Sequence, residues 1–360
     1  MCIYKSFYFT LINFSNNLIN IKILAIILSL SHIKNNKKSI LLEDFAKEVK
    51  NGLERKQKKL NPKFFYDKRG SELFEQICVQ PEYYLTITEY KIIIENINSL
   101  LKYYDNKDIC IVELGSGSSK KTKILLNYFL KKQEGNLHYF PIDISQQMLY
   151  KSSLKLQSDF PKIINHPIAS DYFEGIATVT KFIGSQSNIP DNKLILFLGS
   201  SLGNFEPKDA ITFLSNLREN INKEDSLLIG FDLQKKKNIL EAAYNDVEGV
   251  TAKFNLNILE RINKELDGEF DLENFEHLAY YNKIKNRIEM HLISKVKQKV
   301  KVNKLNQVFD FEKGETILTE NSYKYSLKSI KELANKSNLR VERNFVDKNE
   351  WFNLALLTPF

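Results

Sequence analysis

Between residues 108 and 233 short apolar runs alternate with segments of helical period, and this rhythm constrains the fold more than any other feature. "DICIVELG", "LHYFPIDIS", "KLILFLGSSLGNF" and "SLLIGFDL" read as strands. "KKTKILLNYFLKK", "QQMLYKSSLKLQ" and "PKDAITFLSNLREN" read as the helices between them. Apolar strands that alternate with helices predict a doubly wound, mostly parallel α/β sheet of Rossmann type. Residues 235–300 break the rhythm. A helical stretch, "AAYNDVEGVTAKFNLNILERINKEL", is followed by strand-like runs in "FEHLAYYNKIKNRIEMHLISKVKQKVKV". That pattern predicts an inserted subdomain. The α/β pattern resumes with a helix, "LKSIKELANKSN", and two closing strands, "LRVERNFVD" and "WFNLALLTP". Ahead of the alternation, Leu42, Phe45, Ala46, Val49 and Leu53 recur at helical spacing. Residues 71–80 predict a short helix capped by Ser71, and "PEYYLTITEY" leads into a long helix reaching Leu101.

The chain has 360 residues, 43% hydrophobic and 12% aromatic, which suits a globular protein with ample core. Its net charge of +8 is spread over many lysines, with no concentrated basic face and no nucleic-acid-binding signature, so no nucleic-acid partner is expected. Three cysteines (Cys2, Cys78 and Cys110) lack metal-ligand spacing, and five histidines form no cluster, so no metal site is expected. Cys110 sits in an apolar strand and is expected in the core. Residues 21–33, "IKILAIILSLSHI", are too short for a confident membrane span and lack a following cleavage site. A leader that is disordered or misassigned is the preferred reading of residues 1–40. A weak hydrophobic anchor within 1–33 stays open.

The turn "VELGSGSSKKTKILL", residues 112–126, carries the first chemical signal. Gly115 and Gly117 allow a ligand close to the backbone, and the helix N-terminus that follows supplies amides. The spacing is neither a phosphate-binding P-loop nor a full G-x-G-x-x-G fingerprint. Asp143 ends the next strand, where an acid can take both hydroxyls of a ribose. Asp171 in "ASDYF" suits an adenine amino group, and serves equally as a helix cap. A glycine turn, a ribose acid and an adenine acid without a pyrophosphate site fit S-adenosylmethionine (SAM) better than NAD.

From about Leu41 to Phe360 the chain resembles the histidine-specific, SAM-dependent N-methyltransferases of ergothioneine biosynthesis. The motifs are "FYDKRGSELFEQI", "PEYY", "ELGSGSSKKT", "PIDIS", "LFLGSSLGNF", "AAYNDVEGVTAKFNLN", "IEMHL" and "TENS", in that order. The resemblance implies a methyltransferase domain from 88–232 and 324–360. It implies a discontinuous substrate domain from 41–87 and 233–323, with 1–40 outside the match. By motif, Gly115 and Lys121 would contact SAM, Asp143 its ribose, and Asp171 with Tyr172 its adenine. Tyr83, Asn204 and Tyr244 would grip the amino acid's backbone end, and Glu320 and Ser322 would read the imidazole. Tyr66 and Phe74 would line the catalytic centre near the transferred methyl. The implied reaction methylates the α-amine of L-histidine up to three times and gives hercynine, in a cytoplasmic monomer. A same-family enzyme acting on another amine, and a non-catalytic nucleoside-binding protein, are the rival readings. One departure is visible: where the family reads P-T-R-T-E after "PEYY", this chain has Leu85 and Ile87 for the proline and arginine.

The residue types suit that chemistry on their own terms. An imidazole offers an N–H donor and an N acceptor, which a carboxylate and a hydroxyl can match. In an extended "E-N-S", Glu320 and Ser322 point to one face. Tyrosine rings favour an amine that accumulates charge as it is methylated.

Overall fold

A computed structural model describes residues 42–360, except 106 and 134. The leader, Cys2 and the 21–33 run lie outside the described residues. The first helix, α1, spans residues 42–53, and β1 is Lys58–Lys59. Two helices follow, α2 (Lys68–Ile77) and α3 (Tyr84–Leu101). The alternation then runs β2 (Cys110–Leu114), α4 (Thr122–Lys132), β3 (His138–Asp143), α5 (Gln146–Asp159), β4 (Ile164–Asn165) and β5 (Ile168–Ala169). It continues with α6 (Tyr172–Gly184), β6 (Lys193–Phe197), α7 (Pro207–Glu219) and β7 (Ser226–Asp232). The central segment holds α8 (Lys237–Ala242), α9 (Val250–Leu266), β8 (Phe275–Asn282), β9 (Arg287–Ser294), β10 (Gln298–Val302), β11 (Gln307–Phe311) and β12 (Thr316–Tyr323). The chain closes with α10 (Leu327–Lys336), β13 (Leu339–Val346) and β14 (Phe352–Pro359).

The large sheet runs β13-β14-β7-β6-β2-β3-β4, with β5 also paired to β3. Strands β4, β3, β2, β6 and β7 are parallel neighbours, and β14 runs antiparallel between β7 and β13. Every residue of β2, β6 and β7 is buried. These strands therefore read as unbroken apolar runs, as expected where helices cover both faces. Chain direction across the sheet reverses between β2 and β6, where an open α/β sheet forms its ligand crevice. A second sheet, β1-β12-β9-β8, pairs a strand from before the alternation with the central segment. Cys110 is buried in β2.

Two details differ from the sequence expectations. Helix α2 starts at Lys68, not Ser71, and its cap is Asp67, whose Oδ1 accepts from the Gly70 amide at 2.7 Å. Ser71 is buried inside the helix. Helix α6 forms where the sequence gives no helical signal. Its "YFEGIATVTKFIG" is rich in Thr, Val, Ile and Gly, a weak helix former. Packing overrides propensity, because a Cβ at Gly175 would come within 2.6 Å of Ile142 in β3. Among the described residues no helix is long and apolar enough to cross a membrane.

Candidate active site

The turn after β2 is shaped by backbone. Gly115 and Gly117 have φ of +69° and +48°, and a Cβ on Gly115 would lie 3.1 Å from the Tyr172 hydroxyl. A side chain there would be strained and would fill the crevice. The Gly117 amide donates to Asp143 Oδ2 at 2.8 Å, and the Ser145 amide to Oδ1 at 2.8 Å. Both carboxylate oxygens are thus aimed by main chain, and each keeps lone-pair capacity for a diol. Burial pushes the Asp143 carboxyl up, and the amides of Ser145, Gly117 and Ile144 oppose it. Asp171 caps α6: its Oδ1 accepts from the Phe173 and Glu174 amides at 2.9 and 3.0 Å. Tyr172 begins that helix, and burial followed by the Asp143 charge pushes its hydroxyl up. Under the turn, Glu113 accepts from the hydroxyls of Thr122 and Tyr139. Burial pushes Glu113 up to about 7 despite those donors.

A cavity of about 540 Å³, counting the space at its mouth, is linked to this crevice through Tyr66, which feels the charge of Asp143, and through Gly199, which lies beside the Lys121 ammonium. Tyr66, Phe74, Tyr83, Asn204, Tyr244, Glu320 and Ser322 all line it. Tyr66 follows a short 3₁₀ turn, Pro62–Phe65, and Phe74 lies on α2. Asn204 ends a 3₁₀ turn, Ser201–Asn204, after β6. Glu320 and Ser322 lie on β12, where the extended spacing turns both toward the cavity. The residues between and after them, Asn321 and Tyr323, face away and bind Glu206 at 2.8 and 2.5 Å. The turn after β6 can lie against β12 only because Gly203 is there, since a Cβ would meet the Tyr323 carbonyl at 2.9 Å.

Aromatic rings build one wall. Tyr66 meets Phe74 edge-on with centroids 5.6 Å apart, Phe74 meets Tyr83 at 6.4 Å, and Tyr83 meets Tyr244 at 6.4 Å. Burial raises the Tyr66 hydroxyl well above its ordinary range, and Glu320, Tyr172, Cys78 and Asp143 add to the rise. Tyr66 therefore feels charge from the cavity on one side and from the glycine-turn crevice on the other. Burial, then Tyr244, raises Tyr83 in the same way. Glu320 is 8% exposed and makes no side-chain hydrogen bond among the described residues. Burial pushes its carboxyl up to about 7, while Lys324 pulls it down. It lines the cavity as a buried acceptor.

Lys121, expected at the cofactor, has an ion-pair partner of its own. Its ammonium pairs with Glu89, which is fully buried and also accepts from the Gly199 amide at 2.9 Å. Burial lowers the Lys121 pKa, but Glu89 outweighs it and the net direction is up. Glu89 thus ties the turn after β2 to the turn after β6. Leu85 is buried and lines the cavity, whereas Ile87 is 51% exposed.

Sequence reasoning missed Glu89, Lys324 and Asp232. Lys324 and Asp232 form a wholly buried ion pair behind the cavity, 2.7 Å apart. No local pattern marks them, because charged residues in sequence read as surface. Among the described residues no group of three or more His, Cys, Asp or Glu side chains could hold a metal ion.

A parallel sheet with a glycine crevice and an aromatic, carboxylate-bearing cavity beside it is the arrangement of a nucleoside-dependent transferase. A family model described as "Histidine-specific methyltransferase, SAM-dependent" matches residues 45–359. The chain belongs to that family, and its large sheet is a mostly parallel α/β sheet of Rossmann type. It is 36% identical over 314 residues to "Histidine N-alpha-methyltransferase" of Mycolicibacterium smegmatis, covering 87% of this chain and 94% of that protein. The protein of the same description from Mycobacterium tuberculosis is 35% identical over 311 residues, covering 86% and 93%. "Ergothioneine biosynthesis protein 1" of Schizosaccharomyces pombe is 29% identical over 283 residues, covering 77% of this chain and 36% of its own length.

Proposed function

We propose that this chain methylates the α-amine of L-histidine with SAM as donor, up to three times, giving hercynine. One observation carries the reading. Glu320 and Ser322 stand side by side in the cavity that also collects Tyr66, Phe74, Tyr83, Asn204 and Tyr244. That set offers an acceptor and a hydroxyl for an imidazole, an amide and phenols for a carboxylate, and rings for an ammonium.

SAM fits the neighbouring crevice, where a Cβ on Gly115 would intrude and Asp143 is held by two amides. Gly115, Lys121, Asp143, Asp171 and Tyr172 would hold it, and it supplies an electrophilic methyl group on a sulfonium sulfur. The chain's own part is to bind and orient. Glu320 and Ser322 anchor the ring, and Asn204, Tyr83 and Tyr244 fix the backbone end. The neutral α-amine then faces the crevice past Tyr66 and Phe74. Positioning of this kind lowers the barrier without a covalent nucleophile. The amine loses a proton before each transfer. Burial raises the Tyr66 and Tyr83 phenols well above their ordinary range, so they serve to orient the amine. Within this proposal, 41–87 and 233–323 cover the amino acid, while 88–232 and 324–360 carry SAM. The enzyme acts as a cytoplasmic monomer, which cell fractionation and gel filtration test.

Incubation with labelled SAM and a panel of amino acids, followed by mass analysis, tests the reaction. The expected result is histidine carrying one, two and three added methyls. Turnover of another amine with none of histidine would reject the substrate. SAM binding without any transfer would reject the catalytic reading.

A further inference from the structure

Lys324 is 0% exposed at its side chain and sits behind the cavity floor. An ammonium has three N–H donors and no acceptor. Here the three go to Asp232 Oδ2 at 2.7 Å, Ser322 Oγ at 2.9 Å and Tyr244 Oη at 3.1 Å. Asp232 is itself buried and receives the Tyr84 hydroxyl at 2.8 Å and the Lys235 ammonium. Burial alone would lower the Lys324 pKa, but Asp232 leads the groups that carry it upward, so the charge persists.

The consequence is a count of protons. Tyr244 Oη donates to Ser322 Oγ at 2.8 Å. Ser322 Oγ therefore receives two hydrogens, from Lys324 and from Tyr244, and both lone pairs are engaged. Its own hydrogen has no place in that network and turns toward the cavity that Ser322 lines. Glu320, two residues earlier on the same face, has only lone pairs to offer when ionised.

We propose that Lys324, anchored by Asp232, is a positioning residue that fixes the polarity of Ser322. It compels the hydroxyl to donate into the cavity, so the site selects a ring with an unprotonated acceptor nitrogen as well as an N–H for Glu320. This rests on the histidine reading above and adds to it the neutral form of the ring. A pyrrole lacks the acceptor, and an imidazolium has both nitrogens protonated. Each leaves the Ser322 hydrogen facing no lone pair. Without the ammonium, Ser322 regains a lone pair, and its hydroxyl can rotate to accept or to donate.

The test uses the full chain and three substrates: L-histidine and the two pyrrolylalanine isomers, which keep one ring N–H and lack the acceptor nitrogen. Wild type should prefer histidine by at least about tenfold in kcat/KM, the worth of one good hydrogen bond. Lys324→Met should remove most of that preference by raising the histidine KM about tenfold. Pyrrolylalanine kinetics and SAM affinity should stay within about twofold. Ser322→Ala should reproduce the loss, and the double variant should lose no more, since both changes break one unit. Asp232→Asn, which keeps the volume and removes the anchoring charge, should shift the preference in the same direction. Loss of SAM binding together with both amino acids in Lys324→Met and Asp232→Asn would make the pair structural and overturn the proposal. So would a Ser322→Ala enzyme that keeps its preference for histidine. Failure of wild type to methylate histidine at all would instead reject the substrate, and it shows before any variant is made.

Discussion

The crevice and the cavity are built in opposite ways. The crevice is local and made of main chain: residues 115–121 form one turn, and Asp143 is aimed by the amides of Gly117 and Ser145. The cavity is assembled from side chains on α2, β12, the turn after β6 and the segments before α3 and α9. The amides that aim Asp143 belong to the main chain and persist whatever side chains flank them, but the glycine at 115 and the carboxylate at 143 do not. A cavity of side chains discriminates, and each of its contacts is separately breakable. Their electrostatics differ to match. Main-chain donors restrain the rise of Asp143, whereas Glu320 has no hydrogen-bond donor among the described residues and rises to about 7.

The strongest way to break this contrast is at the joint. Glu89→Ala removes the carboxylate that holds Lys121 and the Gly199 amide. It should cost roughly 3–5 kcal/mol, the usual effect of halving a buried pair, and weaken both ligands. Urea unfolding and binding titrations check it, and selective loss of one ligand would contradict a shared joint.

Next comes a pH effect. Folding raises the Glu320 pKa from 4.5 to about 7. The native state therefore binds more protons than the unfolded chain between those values. Stability from this group falls as pH rises through the window, by about 3 kcal/mol in all. Histidines 138, 166, 277 and 291, all lowered first by burial, titrate nearby with the opposite sign. The difference between wild type and Glu320→Gln isolates the carboxylate. An unchanged difference from pH 5 to 8 would place its pKa elsewhere.

The two sides should then separate cleanly. Glu320→Ala should raise the histidine KM by about 1.5–3 kcal/mol equivalent and leave SAM binding alone. Asp143→Ala should weaken SAM about tenfold and spare histidine at saturating SAM. Equal effects on both ligands from either variant would erase the distinction. The smallest effect is expected at Ile87, whose side chain is half exposed. Ile87→Arg should change stability by less than about 0.5 kcal/mol in thermal melts.

Legibility followed the same divide. The strands β2, β3, β6 and β7 and the turn at Gly115 were readable because each is contiguous and periodic. Helix α6 was not, since its glycines and β-branched residues make sense only against β3. Glu320 and Ser322 were found as a motif, and the extended spacing explains their shared face. Lys324 follows two residues later and carried no signal of its own, because burial of a lysine depends on the distant Asp232. Asp67 displaced Ser71 as the cap of α2, and it also accepts from Asn257 on α9 at 2.9 Å.

By itself, then, the sequence determined the alternating sheet, the glycine turn with the acid that ends the next strand, and the motif order that marks the family. Those are properties of neighbouring residues, governed by backbone sterics and hydrophobic period. Only the tertiary structure decided that Glu89 joins the two turns, that Glu320 stands buried in the cavity wall, and that Lys324 spends all three protons behind Ser322. Desolvation and hydrogen-bond geometry act between residues far apart in the chain, and these exist only once the chain has closed around them.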